Sequence, residues 1–228
     1  MMKKESGIHS NIFLIHKLLS EDRLLSIFGQ IGRLENIDSV HVITTETSKL
    51  CDFEKPYYSD LLSDQLGFTP RGLTLPERSV FFKHVLAMSN GYFSKIDPIL
   101  ILEDDVFFNM TKMRSFISEY LLSGKALPYD IIFFGNGSHI PHPESLTGLI
   151  KPTHTIHKSK CADSYIITRD AAIRILSDIR IRKPFMPYDW DLSYRIHRLK
   201  LNIGWLEPGI TWQGSQSGAF KSQIQDLK

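Results

Sequence analysis

The chain has few cysteines, no long apolar run and no strong excess of either charge. Its 228 residues include two cysteines, Cys51 and Cys161, which by themselves make neither a disulfide scaffold nor a zinc site. No apolar run approaches the ~20 residues that span a bilayer, and residues 12–15 are far too short for the core of a signal peptide. We therefore expect a reducing, cytoplasmic location.

The formal net charge is only +2, but it is distributed unevenly. Residues 151–228 carry 13 Lys and Arg against 7 Asp and Glu, whereas residues 1–150 have an acidic excess. The basic part suits an anionic ligand or an anionic membrane surface, unless it is an ordinary solvated surface. The chain lacks the strong basic stripe of a nucleic-acid binder, so no nucleic-acid partner is expected.

Short apolar segments alternate with segments of helical periodicity, and no repeat or linker divides them. Strands are predicted at residues 11–15, 39–43, 99–102, 130–134, 164–167 and 203–206, and helices near 18–31, 73–91, 112–122, 168–176 and 189–199. This alternation predicts an α/β fold, with a mostly parallel central sheet flanked by helices. We expect one domain over residues 1–228, with flexible ends at 1–10 and 219–228.

Several boundaries have specific sequence signals. Thr74 and Glu77 have capping-box spacing at the start of a helix, and Gly91 is predicted to end it. Residues 136–160 are rich in Pro, Gly and Ser and are predicted to form a long loop. The polar residues 213–218 are predicted to be mobile.

Three carboxylates, Glu103, Asp104 and Asp105, directly follow the most apolar predicted strand. Such a cluster repels itself unless a cation or ordered hydrogen-bond donors share it. Ligands of open α/β sheets bind at the carboxyl ends of the strands. The cluster therefore predicts a divalent-metal or polar-ligand site; the alternative is an acidic turn that caps the next helix.

The histidines allow two interpretations. His84 points inward on its predicted helix, where a hydrogen-bonded core role competes with a functional one. The pairs His139/His142 and His154/His157 make a zinc site conceivable, but nearby prolines prevent a helical face from presenting either pair. Zinc is therefore not our expectation.

Two further places carry polar side chains with open roles. Thr44 begins a hydroxyl-rich tail after the second strand, which either binds a sugar or nucleotide or forms a plain turn. Asp189 and Asp191 either start a helix, as N-cap and first-turn acid, or act chemically. Trp190 between them either stacks on a sugar ring or anchors the helix.

Five segments, taken in order, resemble glycosyltransferase family 25, which includes bacterial lipooligosaccharide galactosyltransferases and the collagen galactosyltransferases. The strongest match is I-L-E-D-D-V at residues 101–106, which resembles the family's central acidic motif. Residues 15–23 are similar to the family's I-N-L-x-x-S-x-D-R, and Leu73, Thr74, Glu77 and His84 agree with its L-T-x-G-E-I-G-C-x-x-S-H. Residues 162–176 are similar to its A-x-x-Y-I-I-S-R-x-x-A-x-x-L-L. The last match is Pro187-x-Asp189, similar to its P-x-D.

The resemblance implies a GT-A-like fold and an inverting transfer of a hexose from a UDP-sugar, usually UDP-galactose or UDP-glucose. It implies a glycan acceptor such as a lipid-linked lipooligosaccharide or lipopolysaccharide sugar. It also places the protein at the inner face of a bacterial inner membrane, where the basic residues would contact anionic lipid.

The resemblance also implies roles for individual residues. Asp105 would bind Mn²⁺ or Mg²⁺, with Glu103 as a second contact, because hard cations prefer oxygen ligands. Asp104 would meet ribose or metal-bound water, and Asp189, with Asp191 in reserve, would be the base. The other residues expected to contact the donor are Thr44, Glu77, His84, Ser215 and Ser217.

Two other functions compete with this interpretation. The chain departs from the family pattern at Pro76, Arg78, Ser79, Val80 and Lys83 and at His16 and Lys17, which motivates a non-catalytic nucleotide-sugar- or carbohydrate-binding protein. A metal-dependent phosphoryl-transfer enzyme would use the same carboxylates.

Overall fold

A seven-stranded sheet organises the chain in the computed structural model, which describes residues 10–18, 20–44, 73–123, 125–135, 148–150, 162–184 and 186–221. The strands are β1 Asn11–Ile15, β2 Ser39–Ile43, β3 Ile99–Glu103, β4 Val106–Phe108, β5 Ile131–Phe133, β6 Gly148–Ile150, β7 Ser164–Ile167, β8 Ile203–Glu207 and β9 Thr211–Gln213. The helices are α1 Glu21–Ile31, α2 Leu75–Phe93, α3 Met110–Phe116 with a wider π-helical continuation at Ile117–Leu122, α4 Arg169–Ile181, α5 Tyr188–Arg198 and the single turn α6 Gly214–Ser217.

The sheet has the strand order β2-β1-β3-β7-β5-β8-β6. Strand β1 is parallel to β2 and β3, and β5 is parallel to β8. Strand β7 is antiparallel to both β3 and β5, and β6 is antiparallel to β8. Five described strands therefore run in one direction, which confirms the predicted α/β fold with a mostly parallel central sheet.

Strand β3 is buried on both faces, as its unbroken aliphatic sequence predicts. Ile99 and Ile101 pack into a core that includes residues of α2, α4 and α5. Leu100 and Leu102 pack into a second core on the other face, with residues of α1 and α3. The helices that cover both faces leave the end of β3 as the place where polar side chains gather.

Helix α2 begins as predicted but does not end at Gly91. Thr74 Oγ1 accepts a bond from Glu77 N at 3.4 Å, and Glu77 Oε2 accepts one from Thr74 N at 2.8 Å, which confirms the capping box. The helix continues to Phe93. Gly91 serves close packing instead, because a Cβ there would lie 2.7 Å from the Ile99 side chain.

Two predicted irregular segments contain regular structure. Gly148–Ile150, inside the predicted loop 136–160, forms β6. Residues 213–218, predicted to be mobile, contain the end of β9 and all of α6. Strand β9 pairs with β4, about a hundred residues earlier, and local sequence patterns do not reveal such distant pairing.

Some predictions fall on residues that the structure does not describe. They include the four histidines at 139, 142, 154 and 157, and most of the two predicted flexible ends. Among the described helices, none has the length and apolar character needed to cross a bilayer.

Candidate functional site

The three consecutive carboxylates at the end of β3 have three different environments. Glu103 is the last residue of the strand, and its N–H donates to Asp163 O at 2.7 Å. Asp104 and Asp105 form the turn that leads into β4. The β4–β9 ribbon then passes over this end of the sheet, where Gly214 N donates to Asp105 O at 2.7 Å.

Asp104 is fully engaged by the protein itself. It is 5% exposed, and its Oδ2 lies 2.8 Å from His16 Nδ1 and accepts a bond from Lys17 N at 3.1 Å. Its Oδ1 accepts a bond from Arg23 Nη1 at 3.2 Å. These contacts tie the turn after β3 to α1 and to the segment between β1 and α1. This placement argues against the predicted contact of Asp104 with ribose or metal-bound water.

Asp105 is buried but only partly hydrogen-bonded. Its Oδ2 accepts a bond from Ser215 N at 3.4 Å and lies 3.6 Å from Arg23 Nη1. Its Oδ1 has no hydrogen-bond partner among the described residues. Burial raises the pKa of Asp105, although the Ser215 hydrogen bonds and the Arg23 charge act in the opposite direction. The site therefore holds one buried carboxylate oxygen that none of the described residues satisfies.

Glu103 lies beside Asp105 and remains partly open to solvent, with its side chain 23% exposed. Its Oε1 is 3.2 Å from His84 Nε2, and its Oε2 accepts a bond from Gln213 Nε2 at 3.4 Å. The pKa of Glu103 is raised well above its usual value, first by burial and then by the charges of nearby carboxylates. In decreasing order of effect these are Asp105, Asp163, Asp104 and Asp189.

Asp163 is a site residue that the sequence analysis missed. It is 3% exposed, and burial together with the Asp105 charge raises its pKa to about 7. It directly precedes β7, which runs antiparallel to β3, so the start of β7 lies at the end of β3. An apolar segment alone does not reveal its direction in a sheet, and this direction is what brings Asp163 to the site.

The structure separates the two candidate bases. Asp189 lies in the first turn of α5, half-buried, and its charge contributes to the raised pKa of Glu103. Asp191 is 1% exposed, and both its oxygens accept bonds from Arg195, at 2.5 and 3.2 Å. Arg195 also donates to Asp178 at 2.6 Å, in a buried network between α4 and α5. Asp191 is therefore a structural residue, and its reserve role as base does not fit.

Two predicted donor contacts, Glu77 and His84, lie inside the protein. Glu77 is 4% exposed and closes the capping box of α2. His84 is 0% exposed, and burial and the nearby Lys83 charge lower its pKa to about 3, which keeps its imidazole neutral. His84 therefore has the hydrogen-bonded core role that was its alternative, although it contacts Glu103.

The remaining predicted contacts lie around the same sheet edge. Thr44 follows β2, the neighbour of β1, and is half-buried. Ser215 donates its backbone N–H to Asp105. The Ser217 hydroxyl donates to Gly214 O at 3.1 Å, within α6, so it stabilises its own turn. Of Thr44, Ser215 and Ser217, only Ser215 has a contact with the carboxylates among the described residues.

Arg23 and Gln213 also contact the carboxylates without having been predicted to. Arg23 is 6% exposed and also donates to Lys221 O. The sequence signal that could have identified Arg23 is its position in the segment that resembles I-N-L-x-x-S-x-D-R. Gln213 had no signal of its own, because its contact with Glu103 depends on the β4–β9 pairing, which sets Gln213 opposite Val106.

The donor set fits a hard cation only in part. Among the described residues, no three His, Cys, Asp or Glu side chains converge to form a metal site. Magnesium, however, is usually held by one or two carboxylates together with substrate phosphates and water. The unsatisfied Oδ1 of Asp105 and the adjacent Glu103 suit that arrangement. The predicted Mn²⁺ or Mg²⁺ stays a prediction.

Comparisons with known proteins add little to this geometry. No family model and no curated protein matches the chain. Among solved structures, the crystal structure of A197 from STIV is similar with a TM-score of 0.41 and 13% identity, over 86% of this chain and 81% of that chain. A similarity at this level carries no argument about function. The resemblance to glycosyltransferase family 25 remains a prediction.

Proposed function

We propose that this chain is an inverting glycosyltransferase. It would move a hexose, galactose or glucose, from a UDP-sugar to a hydroxyl of lipooligosaccharide, lipopolysaccharide or another surface glycan. The observation that carries the proposal is Asp105 Oδ1, which no described residue satisfies, beside Glu103 at the end of the interior strand β3 of a mostly parallel sheet. This is where ligands of open α/β sheets bind, and the motif resemblance lies at the same residues.

Asp105 and Glu103 are the residues that would hold Mn²⁺ or Mg²⁺. When bound, the cation offsets the negative charge that forms on a departing diphosphate. The raised pKa values of both carboxylates support this assignment, because a bound cation would offset the cost of burying both charges and the repulsion that Asp105 exerts on Glu103. Arg23, 3.6 Å from Asp105, adds a fixed positive charge at the same end of the sheet.

Asp189 is the residue proposed as the base. Its carboxylate would take the proton of the acceptor hydroxyl while that oxygen bonds to the anomeric carbon of the sugar. The bond between this carbon and the diphosphate oxygen breaks at the same time, and its electron pair leaves with UDP. Attack from the face opposite the diphosphate inverts the anomeric configuration.

The acceptor is proposed to be lipid-linked. The support is the basic excess of residues 151–228, which suits an anionic membrane surface. Because this excess is modest, the binding would be peripheral, at the inner face of a bacterial inner membrane, and weakened by salt.

The test is mass-spectrometric detection of hexose transfer from UDP-galactose and UDP-glucose to truncated lipooligosaccharide acceptors, with and without Mn²⁺. Wild-type protein should transfer only with the cation. D105N should lose transfer, and D189N should bind donor without transferring it. Asp170→Asn is the matched control, since that side chain is 77% exposed and far from the carboxylates in the fold. Full metal-dependent turnover by D105N would refute the assignment.

A binding-only protein is the second candidate, and one contact favours it. Lys83 and His16, two departures from the family pattern, meet where Lys83 Nζ donates to His16 O at 2.8 Å. His16 in turn contacts Asp104, next to the proposed metal ligand. Metal-dependent UDP binding without hydrolysis or transfer from any UDP-sugar would support this candidate.

A further inference from the structure

We propose that His84 is the positioning residue of Glu103, and that Tyr165 and Tyr188 hold His84 in place. The four side chains come from different elements: His84 from α2, Glu103 from β3, Tyr165 from β7 and Tyr188 from α5. This inference rests on the proposed function, because it assigns Glu103 a contact with the cation. It gives the buried His84 a role at the site without any contact with donor.

Stacking fixes the plane of the His84 ring. The ring lies nearly parallel to Tyr188, with centroids 3.9 Å apart and an interplanar angle of 7°. On Tyr165 the centroid distance is 5.8 Å and the angle 21°. All three rings are buried, and Phe81 packs edge-on against Tyr188 at 5.4 Å. The imidazole therefore cannot turn without displacing both tyrosines.

The hydrogen bonds give this cluster a direction. A carboxylate that binds a cation only accepts hydrogen bonds, so His84 Nε2, 3.2 Å from Glu103 Oε1, must be the donor. A neutral imidazole then accepts at Nδ1, which lies 3.1 Å from Tyr165 OH. Tyr165 donates to that nitrogen, and its oxygen accepts from Tyr188 OH at 2.7 Å. Each donor in this series of hydrogen bonds, from Tyr188 through Tyr165 and His84 to Glu103, thus has one acceptor.

The same series of hydrogen bonds also connects the proposed base with the proposed metal ligands. Tyr188 is the first residue of α5, and Asp189, the proposed base, is the next. At the other end, Glu103 closes β3 beside Asp105. Partners that orient metal ligands typically change metal affinity or activity by about 10–100-fold when they are mutated. His84 is expected to act in this range, through Glu103.

The experiment compares Mn²⁺ affinity, measured by electron paramagnetic resonance in the presence of UDP, across His84 variants of the full chain. H84F keeps a flat ring but removes both nitrogens, so it should bind Mn²⁺ about 10-fold or more weakly. H84Q keeps a donor where Nε2 lies and should recover part of that affinity. His197→Phe, an exposed histidine of α5, is the matched control and should bind like wild type.

Two outcomes would overturn the inference, and they are distinguishable. Equal Mn²⁺ affinity of wild type and a folded H84F would overturn the positioning role alone. Absence of Mn²⁺ binding by wild type would overturn the proposed function, and the inference with it. If H84F does not fold, Tyr165→Phe decides, because it removes only the hydroxyl that donates to Nδ1. It should weaken Mn²⁺ binding severalfold, and unchanged binding would contradict the proposal.

Discussion

Asp104 and Asp105 stand next to each other in the chain but have opposite environments. Asp104 accepts bonds from Lys17 N and Arg23 and contacts His16, so its charge is shared among groups that belong to the fold. Asp105 is equally buried, and one of its oxygens has no hydrogen-bond partner in the described part of the chain. At the residue scale, the Asp104 carboxylate therefore stabilises the fold. The Asp105 carboxylate destabilises it, and a ligand that binds this carboxylate would offset the loss.

D104N and D105N should consequently change stability in opposite directions when no cation is present. Removing the charge of Asp104 takes away the nearer carboxylate of the buried Arg23, which keeps Asp105 at 3.6 Å, so D104N should lower the free energy of unfolding by up to about 3 kcal/mol. The folded-state pKa of Asp105 is raised, so its ionisation opposes folding, and D105N should be more stable than wild type at pH 7. Urea denaturation measures both.

The pH series provides the control for this pair. A group with a raised folded-state pKa contributes its stability at low pH and loses it as pH rises. The advantage of D105N should therefore shrink as the pH is lowered below the ordinary aspartate pKa of 3.8, where Asp105 becomes protonated in both states. An advantage that is independent of pH would mean that the Asp105 charge is not its cause.

His84 should make wild type acid-sensitive in a defined range. Its folded-state pKa is lowered from 6.5 to about 3, so the unfolded chain binds the additional proton between those values. Stability from this group is complete above pH 6.5 and is lost as the pH falls toward 3. Between pH 6 and 4, wild type should lose up to about 1.4 kcal/mol per pH unit more than H84Q. Identical slopes in urea titrations of the two proteins would exclude this.

At the scale of elements, packing overrides local signals. Position 91 lies within α2, and it suits glycine because the Ile99 side chain of β3 occupies the space that a Cβ would need. Gly29 lies within α1 on an exposed face, and a Cβ there would meet nothing within 4 Å. Close packing therefore explains the glycine in α2, whereas no contact requires the glycine in α1.

Gly29→Ala and Gly91→Ala should have opposite effects on stability. Alanine is favoured over glycine in a helix by about 1 kcal/mol, so G29A should stabilise by up to that amount. G91A gains the same preference but overpacks against Ile99, which costs about 1–3 kcal/mol, so it should be neutral to destabilising. Chemical denaturation of both variants measures the difference.

The double variant G91A/I99A isolates the steric cause. Shortening Ile99 opens the space that the new methyl group needs, so the double variant should be more stable than the sum of the single effects. Strict additivity would show that the close approach of Gly91 to Ile99 does not limit the substitution.

At the scale of the whole molecule, the candidate site joins parts of the chain that lie far apart in sequence. Asp105 and Glu103 come from the end of β3, Asp163 from the start of β7 and Asp189 from α5. The mixed direction of the sheet is what brings them to one edge. A ligand at this edge would therefore stabilise the whole fold.

UDP together with Mn²⁺ should raise the thermal midpoint of wild type. At a ligand concentration of 100 Kd the gain is about 2.7 kcal/mol, which corresponds to about 5–10 °C for a domain of this size. D105N should show no such shift, D170N should behave like wild type, and UDP without the cation should have little effect. Scanning fluorimetry measures the midpoints; equal shifts in wild type and D105N would contradict the metal assignment.

The amino-acid sequence by itself determined the elements whose signals are local. The apolar strand before Glu103, the Thr74–Glu77 capping box and the order of strands and helices were predictable, because each depends on residues within one or two turns. Tertiary structure alone decided which carboxylate is hydrogen-bonded on both oxygens and which keeps an oxygen without a partner among the described residues. Asp104 and Asp105 look alike in the chain, and only the contacts with Arg23, His16 and Ser215 tell them apart. Such contacts depend on strand direction and distant pairing, which local patterns do not encode.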